Sequence, residues 1–455
     1  MSNPSSLLGA GRLPAPPLPS GQAGRRALRA LLRDRNLLAA LQALHQELGD
    51  IFQLVLPGFK PVVMVGPEAN RFVLVDERDK LRWRSEADPV TRLLRHGILV
   101  EDGPAHDRLR ADISPALHRN LLQEYVETMT DCTEQVCAAW PEGARLDMLV
   151  EMRRIALLIL VQTLFKVDFR PDLARLWRVI LDTIAYISPG PWLIWPQIPR
   201  PGYRRAIRQV DAYLFQIIRA RRADLGQTDD LLGLLIATPG MSDDLIRDQL
   251  LTMLIAGHDT STALLAWTLY LLGKHPGSLA QAQAEVDLVL GSERPTLSQL
   301  NRLNYLERVI KESMRLYPPI HLGQRVAATD LTFRGYHIPA GTRVLYSIYL
   351  THRQPAYWPD PTRFDPDRFG PQQSRSRPSY SYLPFGGGPR NCIGAAFGLV
   401  EVKVVLARLL QHFNLTLIRP QVHLHMGATL EPRPGVMMRA RPRRSPDDIE
   451  MRISP

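Results

Sequence analysis

Residues 385–394 read Phe-Gly-Gly-Gly-Pro-Arg-Asn-Cys-Ile-Gly and place one cysteine, Cys392, at the end of a glycine-rich loop. An apolar, helix-forming run from Ala395 to Leu410 follows directly. A thiol just before a helix N-terminus lies near free backbone N–H groups and the positive end of the helix dipole, which favour the thiolate. Glycines let the loop backbone adopt conformations closed to other residues and approach a flat ligand closely. The pattern therefore predicts a thiolate that a tight loop presents to a ligand.

Two interpretations of Cys392 follow from the residues alone. A buried cysteine often acts only as a small apolar side chain. A thiolate held by the N–H groups of a loop also suits the axial ligand of a haem iron. Arg390, two residues earlier in the chain, offers a rigid fork that fits a carboxylate. The agreement of so many positions in one short stretch favours the haem ligand.

The loop resembles the haem-binding loop of the cytochrome P450 family, whose pattern is F-G-x-G-x-R-x-C-x-G. The specified positions are filled by Phe385, Gly386, Gly388, Arg390, Cys392 and Gly394. The resemblance implies that Cys392 is the axial thiolate ligand of haem b (iron protoporphyrin IX) and that Phe385 and Gly386 belong to the cofactor site. It also implies the cytochrome P450 fold, mainly α with minor β, in which a helical bundle and small β-sheets surround a buried haem.

Composition and charge are those of a large globular protein. The chain has 455 residues, 45% of them hydrophobic, and a formal net charge of +11. No apolar run reaches the roughly 20 residues needed to span a bilayer, and the N-terminus lacks the features of a secretory signal. We therefore expect a bacterial protein of the cytoplasm. The dispersed arginines argue against nucleic acid as a partner and indicate either a solvated surface or a docking patch for an acidic electron donor.

Three segments are expected along the chain: a flexible Pro-rich N-terminus over 1–24, a single cytochrome P450 domain over 25–440 and a basic C-terminal tail over 441–455. Arginines at helical spacing predict one amphipathic helix from Arg25 to Leu48. The chain has only three cysteines and no C-x-x-C pair, so neither a zinc site nor a disulfide framework is expected.

Residues 256–261, Ala-Gly-His-Asp-Thr-Ser, interrupt an apolar helical run. Glycine inside a helix costs about 1 kcal/mol relative to alanine, and buried polar groups are costly unless they have partners. A kinked core helix whose polar groups bond to its own backbone is one explanation. The stretch also resembles the family's oxygen-binding motif, A-G-x-[D/E]-T-[T/S]. The implied catalytic residues are Ala256 and Gly257, which would line the dioxygen groove, and Asp259 and Thr260, which would deliver protons, with His258 facing away from the haem.

Glu312 and Arg315 are spaced so that they share one helix face and can pair. Such a pair taken alone is usually a surface salt bridge of little energetic value. Pro318 and Pro319 follow, however, and stop the helix at a defined turn. The pair resembles the family's E-x-x-R motif, which implies a structural triad completed by Arg368.

His106 and Arg110 are one helical turn apart, which suits an anionic ligand or, equally, a solvated charged face. The family resemblance implies that they bind the haem propionates together with Arg325 and Arg390.

Substrate contacts are weakly marked in the sequence. By position, the resemblance implies an apolar lining, although core packing explains the same residues as well; the candidates are Leu94, Ile98, Leu254, Ile255, Ile320 and Leu430. Trp192 and Trp195 lie in an apolar stretch that predicts a lid. An uncharged lining indicates a hydrophobic substrate such as a fatty acid, terpenoid or carotenoid.

The expected function is that of a haem-dependent monooxygenase that uses dioxygen to hydroxylate or epoxidise a hydrophobic small molecule. The family resemblance also implies a monomer. Electrons would come from NAD(P)H through a separate ferredoxin or flavodoxin-type donor. One rival is a peroxygenase driven by hydrogen peroxide, against which the Asp259–Thr260 pair argues. Another is a haem-binding protein without enzymatic activity, for which Thr260 would be dispensable.

Overall fold

The computed structural model describes residues 13–190, 192, 195, 198–224 and 229–443. Helices dominate this part of the chain. They are α1 (Gly21–Asp34), α2 (Leu37–Leu48), α3 (Pro67–Arg71), α4 (Pro89–Leu94), α5 (Gly103–Ile113), α6 (Leu122–Ala138), α7 (Met148–Leu164), α8 (Arg170–Ile187), α9 (Arg204–Ala223), α10 (Leu231–Ala237), α11 (Asp243–Lys274), α12 (Pro276–Leu290), α13 (Leu297–Leu300), α14 (Asn304–Leu316), α15 (Ile348–Thr351), α16 (Pro371–Arg375) and α17 (Ala395–His412).

The strands are short and form small sheets. They are β1 (Ile51–Gln53), β2 (Val62–Met64), β3 (Leu81–Arg82), β4 (Arg145–Asp147), β5 (Gly323–Ala327), β6 (Leu331–Phe333), β7 (Tyr336–Ile338), β8 (Arg343–Tyr346), β9 (Phe413–Leu417), β10 (His423–Met426), β11 (Leu430–Arg433) and β12 (Met437–Pro442). The largest sheet has the order β1-β2-β8-β5-β3, and the others are β4-β12-β9, β10-β11 and β6-β7. The predicted mainly α class with minor β is confirmed.

The long helix α11 forms the centre of the core. It begins at an N-cap in which the Ser242 side chain accepts a hydrogen bond from the Leu245 backbone, and Asp243 in its first turn suits the helix dipole. Its apolar residues pack in one continuous cluster with those of α6, α7, α9, α14 and α17. This arrangement brings the 256–261 stretch into the middle of the molecule.

The N-terminal helical region differs from the single helix predicted between Arg25 and Leu48. The first helix begins earlier, at Gly21, and the chain breaks before α2, where Arg35 adopts a left-handed conformation with φ of 48°. The Asn36 side chain then caps α2 by accepting a hydrogen bond from the Leu38 backbone at 2.9 Å. The cap explains why two helices replace one.

Among the described residues, no helix combines the length and the apolar composition needed to cross a bilayer.

Candidate functional site

The glycine-rich loop leads into α17, which begins three residues after Cys392. The Cys392 backbone N–H donates to the Phe385 carbonyl at 2.9 Å, which closes the loop. Gly386 and Gly388 have positive φ angles of 70° and 65°, a region that favours glycine. A Cβ at Gly388 would lie 2.3 Å from the Leu74 carbonyl oxygen, whereas nothing lies within 4 Å of one at Gly386. The prediction of close ligand approach therefore fits Gly386, while Gly388 serves packing against protein.

The Cys392 side chain has accessible surface on one side, although protein atoms surround the rest of it. Burial raises the pKa of its thiol, while the backbone N–H of Gly394 and the positive charge of Arg110 act to lower it. The loop thus supplies the expected thiolate-stabilising groups, but in the protein alone the pKa of this thiol remains above its usual value. A positively charged ligand atom at the sulfur would supply the missing stabilisation.

The middle turn of α11 differs in exposure from the rest of the helix. Residues 246–255 and 261–272 are buried, whereas Ala256, Gly257 and Thr260 keep partial accessibility. Accessible surface in the middle of a buried helix indicates that this turn borders an internal space. The Thr260 hydroxyl donates to the Ala256 carbonyl at 2.7 Å. This bond agrees with the explanation in which the polar groups of the stretch bond to their own helix backbone.

Gly257 has a packing role that the sequence did not predict. A Cβ at this position would lie 2.5 Å from Cδ1 of Leu160 on α7. Real Cβ atoms essentially never approach that closely. The absence of a side chain at Gly257 therefore leaves room for Leu160, while the residue itself keeps partial accessibility.

Asp259 is buried and bonded away from Thr260. Its carboxylate pairs with Arg153 of α7 at 3.3 Å and accepts a hydrogen bond from the Thr429 hydroxyl at 2.8 Å. Arg153 also pairs with Glu431, whose pKa is raised by burial and by the negative charge of Asp259. In this conformation Asp259 and Thr260 occupy separate hydrogen-bond networks.

His258 is fully buried, and neither of its ring nitrogens has a hydrogen-bond partner. Burial, aided by the charge of Arg153, lowers the pKa of its imidazole to about 3. A neutral, packed ring agrees with the structural role predicted for it.

The helices that carry the two motifs are joined by a buried hydrogen bond. Ser261 of α11 donates to Glu401 of α17 at 2.6 Å. Burial raises the pKa of Glu401 to about 8, and only the hydrogen bond from Ser261 opposes this rise. Glu401 was not predicted from the sequence, because only the packing of α11 against α17 reveals its position.

Glu312 and Arg315 form a fully buried bidentate pair, with both bonds at 2.7 Å. Arg368 completes the predicted triad at 3.5 Å from Glu312. It donates a hydrogen bond to the Asp360 carbonyl at 3.0 Å. The three residues are thus brought together as the sequence predicted.

Of the four predicted propionate-binding residues, His106 and Arg110 lie on α5, Arg325 on β5 and Arg390 in the glycine-rich loop. The Arg110 guanidinium donates to the Asn391 carbonyl at 2.9 Å and to its side chain at 2.8 Å. The His106 ring is buried and bonded to Asp107 at 2.9 Å. Burial lowers the pKa of His106, and the charges of Arg390 and Arg110 lower it further.

Arg325 and Arg390 approach each other across an indole ring that the sequence analysis did not single out. Their guanidinium carbons lie 4.4 Å and 5.3 Å from the centre of the Trp83 ring. Burial and the neighbouring charge of Arg325 lower the pKa of Arg390 to about 10. Asp102 pairs with Arg390 at 3.3 Å. The cluster carries more positive than negative charge and therefore favours an anion.

The predicted substrate residues fall into two groups. Five are buried, namely Leu94, Ile98, Leu254, Ile255 and Leu430. Ile320 is 40% exposed. Leu254 lines a small apolar void that residues of α7, α8 and α9 help to enclose, among them Val161, Ile180 and Tyr213.

The predicted lid is described only in part. Trp192 is buried, and its indole N–H donates to the Ser188 carbonyl at 2.7 Å. Trp195 is 51% exposed. Leu193 and Ile194, which lie between these two residues in the predicted lid, are outside the described residues.

These features fit a flat ligand with an electropositive centre and carboxylates at its edge, such as a haem. The accessible side of Cys392 offers a sulfur ligand, and the accessible turn of α11 borders an internal space. Nη2 of Arg390 and Nε1 of Trp83 are buried donors without hydrogen-bond partners, so they suit acceptors that carry negative charge. The fold and this site define the class of haem-thiolate proteins.

The comparisons with known proteins agree with this class. The family model for cytochrome P450 matches residues 21–442. Cyclooctatin synthase from Streptomyces melanosporofaciens is 32% identical over 430 residues, which cover 91% of this chain and 92% of that protein. The chain belongs to the cytochrome P450 family and is a monooxygenase of that family. Membership implies a haem ligated by a cysteine thiolate.

Two further relatives extend the comparison. The cyclooctat-9-en-7-ol 5-monooxygenase of the same Streptomyces species is 32% identical and covers 81% of this chain and 83% of its own. The solved structure of a retinoic acid bound cyanobacterial CYP120A1 superposes with a TM-score of 0.83 at 27% identity. That superposition covers 95% of this chain and 100% of the other.

Proposed function

We propose that this monooxygenase transfers one oxygen atom from dioxygen to a hydrophobic small molecule of the terpenoid class. The observation that carries the proposal is the accessible turn of α11 at Ala256, Gly257 and Thr260, inside an otherwise buried apolar helix. The names of two relatives, which contain cyclooctat-9-en-7-ol and retinoic acid, support a terpenoid, a class that includes the carotenoids, over a fatty acid.

In this proposal Cys392 ligates haem b, and the propionates contact His106, Arg110, Arg325 and Arg390. When bound, the haem supplies the activation of dioxygen. The loop N–H of Gly394 and the charge of Arg110 stabilise the thiolate. Both groups act on the sulfur in the observed conformation of the loop.

Thr260 and Asp259 are proposed to move protons on the distal side. Thr260 holds a proton on Oγ1, which is now donated to the Ala256 carbonyl. The Asp259 carboxyl is held by Arg153 and Thr429. A transfer between the two residues therefore requires Asp259 to turn from this pair or a water to bridge the gap.

Electrons are proposed to come from NAD(P)H through a separate ferredoxin or flavodoxin-type donor to a monomeric enzyme in the cytoplasm. The formal net charge of +11 supports an acidic donor, because opposite charges speed encounter.

The test of the cofactor is the carbon monoxide difference spectrum of the reduced protein. The wild type should show the red-shifted Soret band of thiolate ligation, and Cys392→Ser should lose it. Cys137→Ser is a matched control, because it removes a thiol that packs at the edge of the core. A Cys392→Ser protein that keeps the band would refute the assignment.

The substrate class is tested by titrating the ferric protein with terpenoid alcohols and acids and, separately, with fatty acids of similar size. A low-spin to high-spin shift with terpenoids alone supports the proposal. Product formed with hydrogen peroxide but not with NAD(P)H and a ferredoxin system would favour the peroxygenase instead.

A further inference from the structure

Trp83 lies beside the arginine cluster because of strand pairing. It follows β3, which pairs antiparallel with β5 so that Leu81 lies opposite Ala327 and Arg82 opposite Val326. The next position along this ladder brings Trp83 to Arg325. The Trp83 backbone N–H donates to Asp102 at 2.9 Å, which ties this residue to the start of α5.

The indole ring of Trp83 contacts both arginines of the cluster. The guanidinium carbon of Arg325 lies 4.4 Å from the ring centre, and that of Arg390 lies 5.3 Å from it. Both distances are within the range of a cation–π interaction. One ring therefore stabilises two like charges that would otherwise repel each other.

The polar edge of Trp83 has no partner. Its Nε1 is buried and makes no hydrogen bond, and the same is true of Nη2 of Arg390, although Asp102 lies near. A buried donor left without an acceptor costs about 1–3 kcal/mol, so native proteins rarely keep one without a use. Two such donors at one ring point to an absent acceptor, and the excess of positive charge indicates that it is an anion.

We propose that Trp83 is a further cofactor-binding residue whose indole N–H donates to a haem propionate, while its ring positions Arg325 and Arg390 for the same carboxylates. This inference rests on the proposed function of the cluster and extends it to a neutral donor. The hydrogen bond to a carboxylate is charge-assisted and therefore stronger than one to an uncharged group.

The test compares Trp83→Phe, which keeps a ring but removes the N–H, with Trp83→Leu, which removes both. The ferric holoproteins are mixed with excess apomyoglobin, and the rate of haem loss is measured. The same rates are measured for proteins reconstituted with haem dimethyl ester, whose edges carry no charge. Trp177→Phe is the matched control, because Arg154 lies over that ring at 5.9 Å outside the cluster.

We expect Trp83→Phe to lose protohaem about tenfold faster than the wild type, as the loss of a charge-assisted hydrogen bond implies. With the dimethyl ester the difference should shrink to about threefold or less. Trp83→Leu should lose protohaem faster still, and Trp177→Phe should match the wild type.

Two results would overturn the inference. One is a wild-type rate for Trp83→Phe, even if Trp83→Leu is fast, because the ring alone would then suffice. The other is equal acceleration for both haems, which would indicate a general loosening of the fold. A failure of the proposed function is distinguishable, since it would already appear in the carbon monoxide spectrum of the wild type.

Discussion

Arg315 and Arg390 are both arginines removed from bulk water, but their surroundings differ. Arg315 donates to both Glu312 oxygens at 2.7 Å and to three backbone carbonyls, those of His352, Pro361 and Arg363, at 2.7–3.1 Å. Arg390 has a side chain only 16% exposed, one carboxylate at 3.3 Å and an Nη2 without a hydrogen bond. The donors of Arg315 therefore have partners within the protein, whereas Arg390 keeps a donor without one.

The difference separates charges that hold a fold together from charges that await a ligand. A buried ion pair whose remaining donors are all bonded has compensated the cost of leaving water. A buried cation with free donors beside another cation has not, and a bound anion compensates it. By the same criterion we propose a structural role for Glu312–Arg315 and a cofactor-binding role for the Arg325–Arg390 cluster.

The largest effect on stability is expected for Glu312→Gln. It leaves the Arg315 charge buried without its carboxylate, which should lower the free energy of unfolding by about 3–5 kcal/mol. Chemical unfolding followed by circular dichroism measures the change. Asp182→Asn removes the partner of the exposed Arg178 and is the control, expected to leave stability nearly unchanged. A loss as small as in the control would show that the buried pair is not structural.

Glu401 extends the contrast to a buried carboxyl whose partner is a hydroxyl and not a cation. Its folded pKa of about 8 lies above its usual 4.5, so the folded protein retains the proton longer than the unfolded chain does. The stability this provides is complete below pH 4.5 and is lost as pH rises towards 8.

Glu401→Gln should abolish this pH dependence. Relative to the variant, the wild type should lose about 1–3 kcal/mol of unfolding free energy between pH 6 and pH 8. Unfolding curves at several pH values test this, and the exposed Glu86→Gln should follow the wild type. A constant difference between wild type and Glu401→Gln across the range would contradict the raised pKa.

The smallest effect is expected at Asp259. This buried carboxylate has both a cation partner, Arg153, and a hydroxyl partner, Thr429. Thr429→Val removes one hydrogen bond and leaves the ion pair, so unfolding should become easier by about 1 kcal/mol. Thr163→Val is the matched control, since its hydroxyl bonds only carbonyls of its own helix, those of Ile159 and Leu160. Equal changes in both variants would show that the Thr429 bond adds nothing to the stability of the pair.

The parts of the site that residue spacing predicted are local in the chain, whereas Arg325 and Arg368 were implied by the family resemblance. Glu312 and Arg315 are one helical turn apart, and the loop of Cys392 carries its own glycines, so spacing alone describes them. Trp83 and Arg153 depend on partners far along the chain, through the β3–β5 pairing and the packing of α7 on α11. No periodicity encodes such contacts.

The break between the first two helices has a local cause. Asn36 before two leucines is an N-cap signal, so the break between α1 and α2 was readable from the sequence. Gly257 was assigned to the dioxygen groove from the family motif, and that assignment stays a prediction. Its packing against Leu160, 97 positions earlier in the chain, is an additional role that no local pattern encodes.

Gly257 and Leu160 share one volume, because a methyl group on the first would occupy the place of a methyl group on the second. A side chain at 257 would require Leu160 to shift or to become smaller. We therefore expect the two positions to change together. An alanine at 257 is expected in lineages where residue 160 has become smaller.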